Sequence, residues 1–232
     1  SWYTRMERLR EAYPEQEGWT RWMRGYLASV AFVDDQLGKV LDALDKGPYA
    51  ANTIVVFTSD HGFHMGEKDL LIKKTVWEES TRVPLVMRVL GVAQPSQQCE
   101  QPVSLVDLYP TLIDLCGLPS DPNRAGNEQP LDGHSLRPLL ADPSRGIWDG
   151  PPAALSVIEG GDPVEIGEIA PVERQHFTVR SRHWRYCLWA NGEEELYDHR
   201  TDPHEWHNLA ADPEQAKIKA ELRDELRKLT GR

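Results

Sequence analysis

From Trp22 to Leu44 the apolar residues Tyr26, Val30, Val33, Leu37, Leu41 and Leu44 recur every three or four positions, with Asp34, Asp35, Lys39 and Asp42 between them. That period gathers the apolar set on one stripe of an α-helix, and Gly47-Pro48 supplies its stop. Residues 1–21 are charged and aromatic, and Pro14 and Gly18 interrupt any long period, which predicts a short helix and then a loop. After the helix the period changes. Asn52–Thr58 (NTIVVFT) is short, β-branched and almost wholly apolar, with no alternation. Such a run predicts a strand covered on both faces, as in a parallel sheet. It stops at Ser59-Asp60-His61-Gly62, so polar groups collect at the carboxyl end of a buried strand. Val83–Val89 predicts a second strand of the same kind, and Leu105–Leu115 a helix ended by Gly117. Residues 131–140 read as a loop and short helix. Residues 119–130 and 141–152, rich in Pro, Gly, Asp and Asn, read as loops or a domain boundary.

Beyond residue 153 the pattern becomes short strands and turns: 153–158, 176–180, 184–189 and 195–197, with Asn191-Gly192 as a hairpin signal between the last two. A charged helix over 213–229 closes the chain, with Asp212 as its expected N-cap and Asp224→Lys228 as a supporting ion pair. The fold class expected is therefore α/β. Residues 1–150 would form an α/β part with a mainly parallel sheet, and residues 151–232 a small antiparallel α+β subdomain.

Charge narrows the partners. The 232 residues carry 26 basic and 37 acidic side chains, a formal net charge of −11. That balance argues against nucleic acid or an anionic membrane surface as the partner, since both reward basic patches. No apolar run approaches the length of a membrane-spanning helix. Three cysteines (Cys99, Cys116, Cys187) make no disulfide framework. The opening SWYTRMERLR has neither an initiator Met nor the apolar core of a signal peptide, so the chain reads as processed, truncated or cut from something longer, and localisation is not legible in it.

The chemistry concentrates in Phe57-Thr-Ser-Asp-His-Gly-Phe-His-Met-Gly-Glu-Lys68 and runs on to Lys73. Ligands of open α/β sheets bind outside the carboxyl ends of strands, where Asp60 offers a hard oxygen and His61 an imidazole. Gly62 and Gly66 allow the next loop to fold tightly, and His64, Lys68, Lys73 and Lys74 bring positive charge to it. A divalent cation beside a lysine suits an anionic ester such as a sulfate or phosphate. A bare Asp-His-Gly also serves as a strand-ending turn, so spacing alone leaves both readings open. Asp34 and Asp35 are adjacent on a helix and point about 100° apart, a solvated face rather than a carboxylate pair.

The longer pattern decides between those readings. FTSDHGFHMGEK, Lys73 and the following WEESTRVPLV resemble the C-terminal half of the sulfatase family, in the alkaline-phosphatase-like superfamily. The resemblance continues in Tyr26–Leu41, Val103–Leu112, Leu131–Leu136, Glu195–Asp198 and Thr201–Leu209, and is nearest to the iduronate-sulfatase type. It implies that Asp60 and His61 ligate the active-site cation, which is calcium in typical sulfatases. It also implies that Lys73 contacts the sulfate, and it puts His64 in the pocket-facing loop, where it either touches substrate or packs and caps that loop. His183, His199, His204 and His207 fall in the subdomain pattern as structural or exposed residues. The implied partner is a sulfated small molecule or glycan, and the resemblance is compatible with a periplasmic or secreted location as well as a cytoplasmic one.

One departure stands out. The family nucleophile is a formylglycine made within C/S-x-P-x-R, and none of Cys99, Cys116 or Cys187 has that context. The family's N-terminal Asp-Asp metal pair also has no counterpart here, so these residues are expected to supply half a site, completed by a missing N-terminal part of the same protein. Two alternatives remain: a phosphodiesterase or phosphonate hydrolase of the same superfamily, for which His61 would favour Zn2+ or Mn2+, and a noncatalytic remnant module.

Overall fold

A computed structural model of the chain describes residues 4–13, 17–71, 73–119, 131–159 and 171–231. The loop expected over 119–130 lies outside them from residue 120 onward, as does the break expected at Pro14. The chain forms two compact units, one of Ser1–Lys74 with Arg82–Gly91, the other of Thr75–Thr81 with Val92–Arg232.

In the first unit, α1 (Thr4–Ala12) leads to α2 (Glu17–Asp45), which starts a turn earlier than its apolar period suggests. Gly18 lies inside α2 and is buried. A Cβ there would stand 2.7 Å from Tyr13 Cβ and 3.1 Å from Leu9 Cγ, so the glycine admits α1 instead of breaking the helix. The apolar stripe of α2 is well formed yet open: Val30, Val33 and Val40 are 50%, 52% and 64% exposed. The helix is followed by β1 (Val55–Thr58) and β2 (Leu85–Arg88), which pair antiparallel with Val55 opposite Arg88 and Thr58 opposite Leu85. The α/β class and its two strands are as expected, but the parallel pairing expected of β1 is not what joins it to β2. An unbroken apolar run reports that both faces are covered and carries no information on strand direction.

The second unit holds α3 (Glu78–Thr81), α4 (Leu108–Leu115), α5 (Arg137–Ala141), four strands and α6 (Ala216–Thr230). Asp107, 2% exposed, ties the segment before α5 to α4: its carboxylate accepts from Ser104 N and His134 N, both at 2.8 Å. Strands β3 (Ala153–Glu159), β4 (Gln175–Ser181), β5 (Trp184–Leu188) and β6 (Glu194–Asp198) form an antiparallel sheet in that order. Asn191-Gly192 does turn the last hairpin, within the loop 189–193, with Gly192 at φ 85°. Asp212 caps the closing helical segment as expected, accepting from Glu214 N. Toward the end of α6, Asp224 pairs with Arg227 and Lys228 with Glu225, rather than Asp224 with Lys228.

Residues opposed across antiparallel strands share a face, and the register gives this sheet two unlike ones. Phe177, Val179, Tyr186 and Leu196 pack with Ala153, Leu222 and Leu226 in an apolar core under α6. On the other face stand Thr178 opposite Cys187 and Arg180 opposite Arg185. Residues 75–81 cover this polar face. Arg185, whose side chain is 1% exposed, donates to Glu205 Oε1 and Glu78 Oε2. It donates also to Thr178 Oγ1 at 3.0 Å and to the Val76 carbonyl at 3.1 Å. Glu205 accepts in addition from Glu78 N at 2.9 Å. Trp77 Nε1 donates to Glu195 at 2.7 Å, and its ring meets Trp189 edge-on.

Burial alone would push the Glu205 carboxyl up, but the Arg185 guanidinium and the His199 hydrogen bond overcome that and hold it near about 2. A carboxyl depressed in the folded state contributes stability above its unfolded value and loses it as pH falls through the folded one. The second unit should therefore weaken on acidification from about pH 4.5 toward pH 2. Glu205→Gln should cost about 3–5 kcal/mol at pH 7, because it leaves Arg185 buried and under-paired, and its stability should fall less steeply over that window. Urea unfolding at stepped pH measures both; parallel pH profiles for the two proteins would show that Glu205 is not the group responsible.

Candidate active site

The carboxyl end of β1 positions the residues singled out by sequence. After Thr58 the strand geometry ends, and Ser59 Oγ donates to the His61 carbonyl at 2.9 Å, turning the chain. His61 Nδ1 lies 2.8 Å from the Gly62 carbonyl. A carbonyl only accepts, so Nδ1 carries the proton and Nε2 presents its lone pair. That lone pair meets Lys73 Nζ at 2.7 Å, and Asp60 Oδ2 lies 3.5 Å from the same nitrogen. Asp60, His61 and Lys73 are thus brought together. Their accessibility differs: the Asp60 side chain is 84% exposed and that of His61 34%. Lys74 is exposed.

His64 is brought to the same loop but is fully buried, at 0% exposure. The loop around it is fastened by Trp19, which lies in the helix α2 and not in the loop that the sequence predicts there. Trp19, near the start of α2, donates from Nε1 to the Met65 carbonyl at 2.7 Å. The indole lies where a side chain at residue 66 would be: a Cβ on Gly66 would stand 2.7 Å from Trp19 Nε1, and Gly66 has φ 122°. Gly66 therefore serves both the close approach and the backbone angle. Arg10 reaches Asp69 at 2.5 Å at the loop's far end. No period marks Trp19 for this task, so nothing in the sequence pointed to it.

The donors at β1 fit a divalent cation. Asp60 supplies an oxygen, and the His61 tautomer, fixed by the Gly62 carbonyl, turns an imidazole lone pair outward as metal-binding histidines require. The Lys73 ammonium rests on that lone pair, so a cation bound at Nε2 would take its place, which an exposed lysine yields more readily than a buried arginine would.

A second acid-imidazole group, Glu78, His199 and Glu205, has ligand atoms within 4.8 Å of one another. Here the cation is already present as guanidinium. Arg185 is bonded to both carboxylates, Arg180 Nε donates to Glu78 at 3.1 Å, and Arg180 Nη2 lies 3.0 Å from His199 Nδ1. Two carboxylates face two guanidiniums, so a divalent ion would have to displace a fully buried arginine. The cysteines offer no nucleophile either: Cys99 and Cys116 are exposed without the formylglycine context, and burial pushes the Cys187 thiol up to about 12.

Known proteins bear on these residues. The sulfatase family pattern matches residues 4–118, and the C-terminal pattern of N-sulphoglucosamine sulphohydrolase matches residues 166–232. A sulfatase of Formosa agariphila is 34% identical over 192 residues, covering 83% of this chain and 33% of its own length. The chain is similar to the solved structure of a protein in complex with its substrate D-glucosamine-2-N,6-O-disulfate (TM-score 0.77, 28% identity, 97% of this chain and 45% of that one). It is also similar to the phosphonate monoester hydrolase of Agrobacterium radiobacter (TM-score 0.71, 30% identity, 87% of this chain and 40% of that one). The chain spans about a third of the length of the curated relatives it matches.

The charge balance around Arg185 makes a prediction of its own. Removing divalent cations with EDTA and restoring calcium should leave the unfolding midpoint of the second unit unchanged. A calcium-dependent rise that Glu205→Gln abolishes would place a cation at Glu78, His199 and Glu205 instead.

Proposed function

Because this chain belongs to the sulfatase family, of the alkaline-phosphatase-like superfamily, we propose that it serves hydrolysis of a sulfate ester. The observation that carries the reading is the convergence of a carboxylate, an imidazole lone pair and an ammonium at the end of β1. Asp60 and His61 would hold a divalent cation, calcium by family resemblance, which when bound draws charge from the ester's nonbridging oxygens. Lys73 lies against His61 and would neutralise negative charge growing toward the leaving group. His64, buried beside this turn, would act on substrate only through the loop that Trp19 and Gly66 hold in shape. A sulfated amino sugar is the substrate class we favour, because a structural relative is in complex with D-glucosamine-2-N,6-O-disulfate.

The nucleophile is assigned to polypeptide outside these 232 residues, as a formylglycine, since no cysteine here sits in C-x-P-x-R. The exposed apolar stripe of α2 is the kind of surface such polypeptide would cover. The chain by itself should then not turn over substrate. The likeness to phosphonate monoester hydrolase supports a second reading, hydrolysis of a phosphonate or phosphate ester with Zn2+ or Mn2+.

The test uses protein expressed from the full reading frame that contains these residues. Asp60→Ala should abolish hydrolysis of p-nitrophenyl sulfate and lower the bound calcium measured by elemental analysis. Unchanged rate and metal content would remove Asp60 from the site, and a preference for phenylphosphonate over the sulfate ester would favour the second reading. Between the adjacent lysines, Lys73→Ala should lower kcat/KM about a hundredfold, equivalent to one charge-assisted contact of about 3 kcal/mol in the transition state. Lys74→Ala should change it little. The reverse order, in folded variants, would show that the two roles are exchanged.

A further inference from the structure

We propose that Lys73 and the divalent cation exchange places at His61: the ammonium holds the imidazole lone pair until a cation binds there, and cation binding releases the lysine to the anionic ester. The inference deepens the sulfate-ester reading above and rests on it. His61 has one lone pair to offer, because Nδ1 faces the Gly62 carbonyl at 2.8 Å and so carries the proton. Lys73 Nζ takes Nε2 at 2.7 Å. Asp60 Oδ2 lies 3.5 Å from the same nitrogen, near enough for one cation to touch both. A lone pair accepts an N–H or a metal ion and not both at once. Ammonium and cation therefore exclude each other at Nε2.

The lysine is suited to leaving. It is exposed and carries its charge on a flexible stem, and contacts between exposed groups of this kind are weak. His61 and Lys73 belong to the same compact unit, twelve positions apart. Among the described residues the Lys73 ammonium meets His61 and no carboxylate. Its charge is therefore not neutralised where it stands, and once off the imidazole it is drawn to an anion brought in from outside. Lys73 in this way lowers the apparent affinity for the cation, which binds only the fraction of molecules whose Nε2 is open. Cation and anion also favour each other reciprocally. The cation frees the group that receives the anion, and the anion keeps that group off the imidazole.

Calorimetric titration of calcium, and of manganese, into metal-free protein from the full reading frame tests this without reference to turnover. Lys73→Met keeps the apolar stem and removes the charge. It should bind the cation roughly three- to tenfold more tightly than wild type does, while Lys74→Met should bind it as wild type does. The gain should persist at high potassium chloride, where repulsion between separated exposed charges is screened. Inorganic sulfate should tighten cation binding more in wild type than in Lys73→Met. Unchanged or weaker cation binding in Lys73→Met overturns the exchange, as does a gain that is lost at high salt or equalled by Lys74→Met. An equal effect of sulfate on the two proteins overturns the release of Lys73 to the anion. A protein that shows the Lys73→Met gain but does not hydrolyse p-nitrophenyl sulfate overturns the sulfate-ester reading and leaves the exchange standing. Failure of both wild type and Lys73→Met to take up either cation overturns the two together.

Discussion

Arg185 is the residue around which the second unit is organised. Its guanidinium has five donors in a fixed fork, and a fully buried fork is tolerable only if nearly all of them are satisfied. Here Nε takes Glu205, Nη2 takes Glu78, and Nη1 is shared by Thr178 and the Val76 carbonyl. Each partner is thereby fixed in turn: β4 through Thr178, the loop after β6 through Glu205, and residues 75–81 through Glu78 and Val76. A network of this kind contributes less to net stability than an apolar core of the same volume, because both charges had to leave water. Its effect is on uniqueness of arrangement. On this face a misplaced carboxylate would leave a buried charge unpaired.

Some of this was written legibly in the chain. The period of α2, the two apolar strands, the four-strand cluster after residue 153 and the cap at Asp212 all depend on neighbours within a few residues, and periodicity reads those directly. Gly18 was legible only as a breaker because its partners, Leu9 and Tyr13, belong to another helix and its end. The antiparallel pairing of β1 with β2 was illegible for a related reason: an apolar run records coverage and says nothing of direction. Arg185 and its acids lay further out of reach. Glu78 is separated from Arg185 by 107 positions and from Glu205 by 127, and nothing local distinguishes these residues from surface charges. His199 was placed with the structural histidines; the fold puts it at 7% exposure against Glu205.

The residues at β1 were found by a different route, and the difference is physical. Asp60, His61 and Lys73 fall within fourteen positions of one another and follow a strand end, where the geometry of α/β sheets collects ligands. Proximity in sequence made them visible as a constellation. It did not reveal that Nδ1 of His61 is taken by the next residue's carbonyl, which is what leaves Nε2 available. Nor did it reveal that Trp19 shapes the loop holding His64.

The two charged clusters show why one is read as chemistry and the other as framework. Around Arg185 the positive and negative groups match, the donors are spent and the side chains are buried, so no external ion or ester could enter without breaking bonds already made. At the end of β1 the balance is left open. Asp60 is largely in solvent, and the His61 lone pair is met by a flexible side chain, an ammonium on four methylenes. A site that must bind an anion and a cation and release product has to be incompletely satisfied by its own protein.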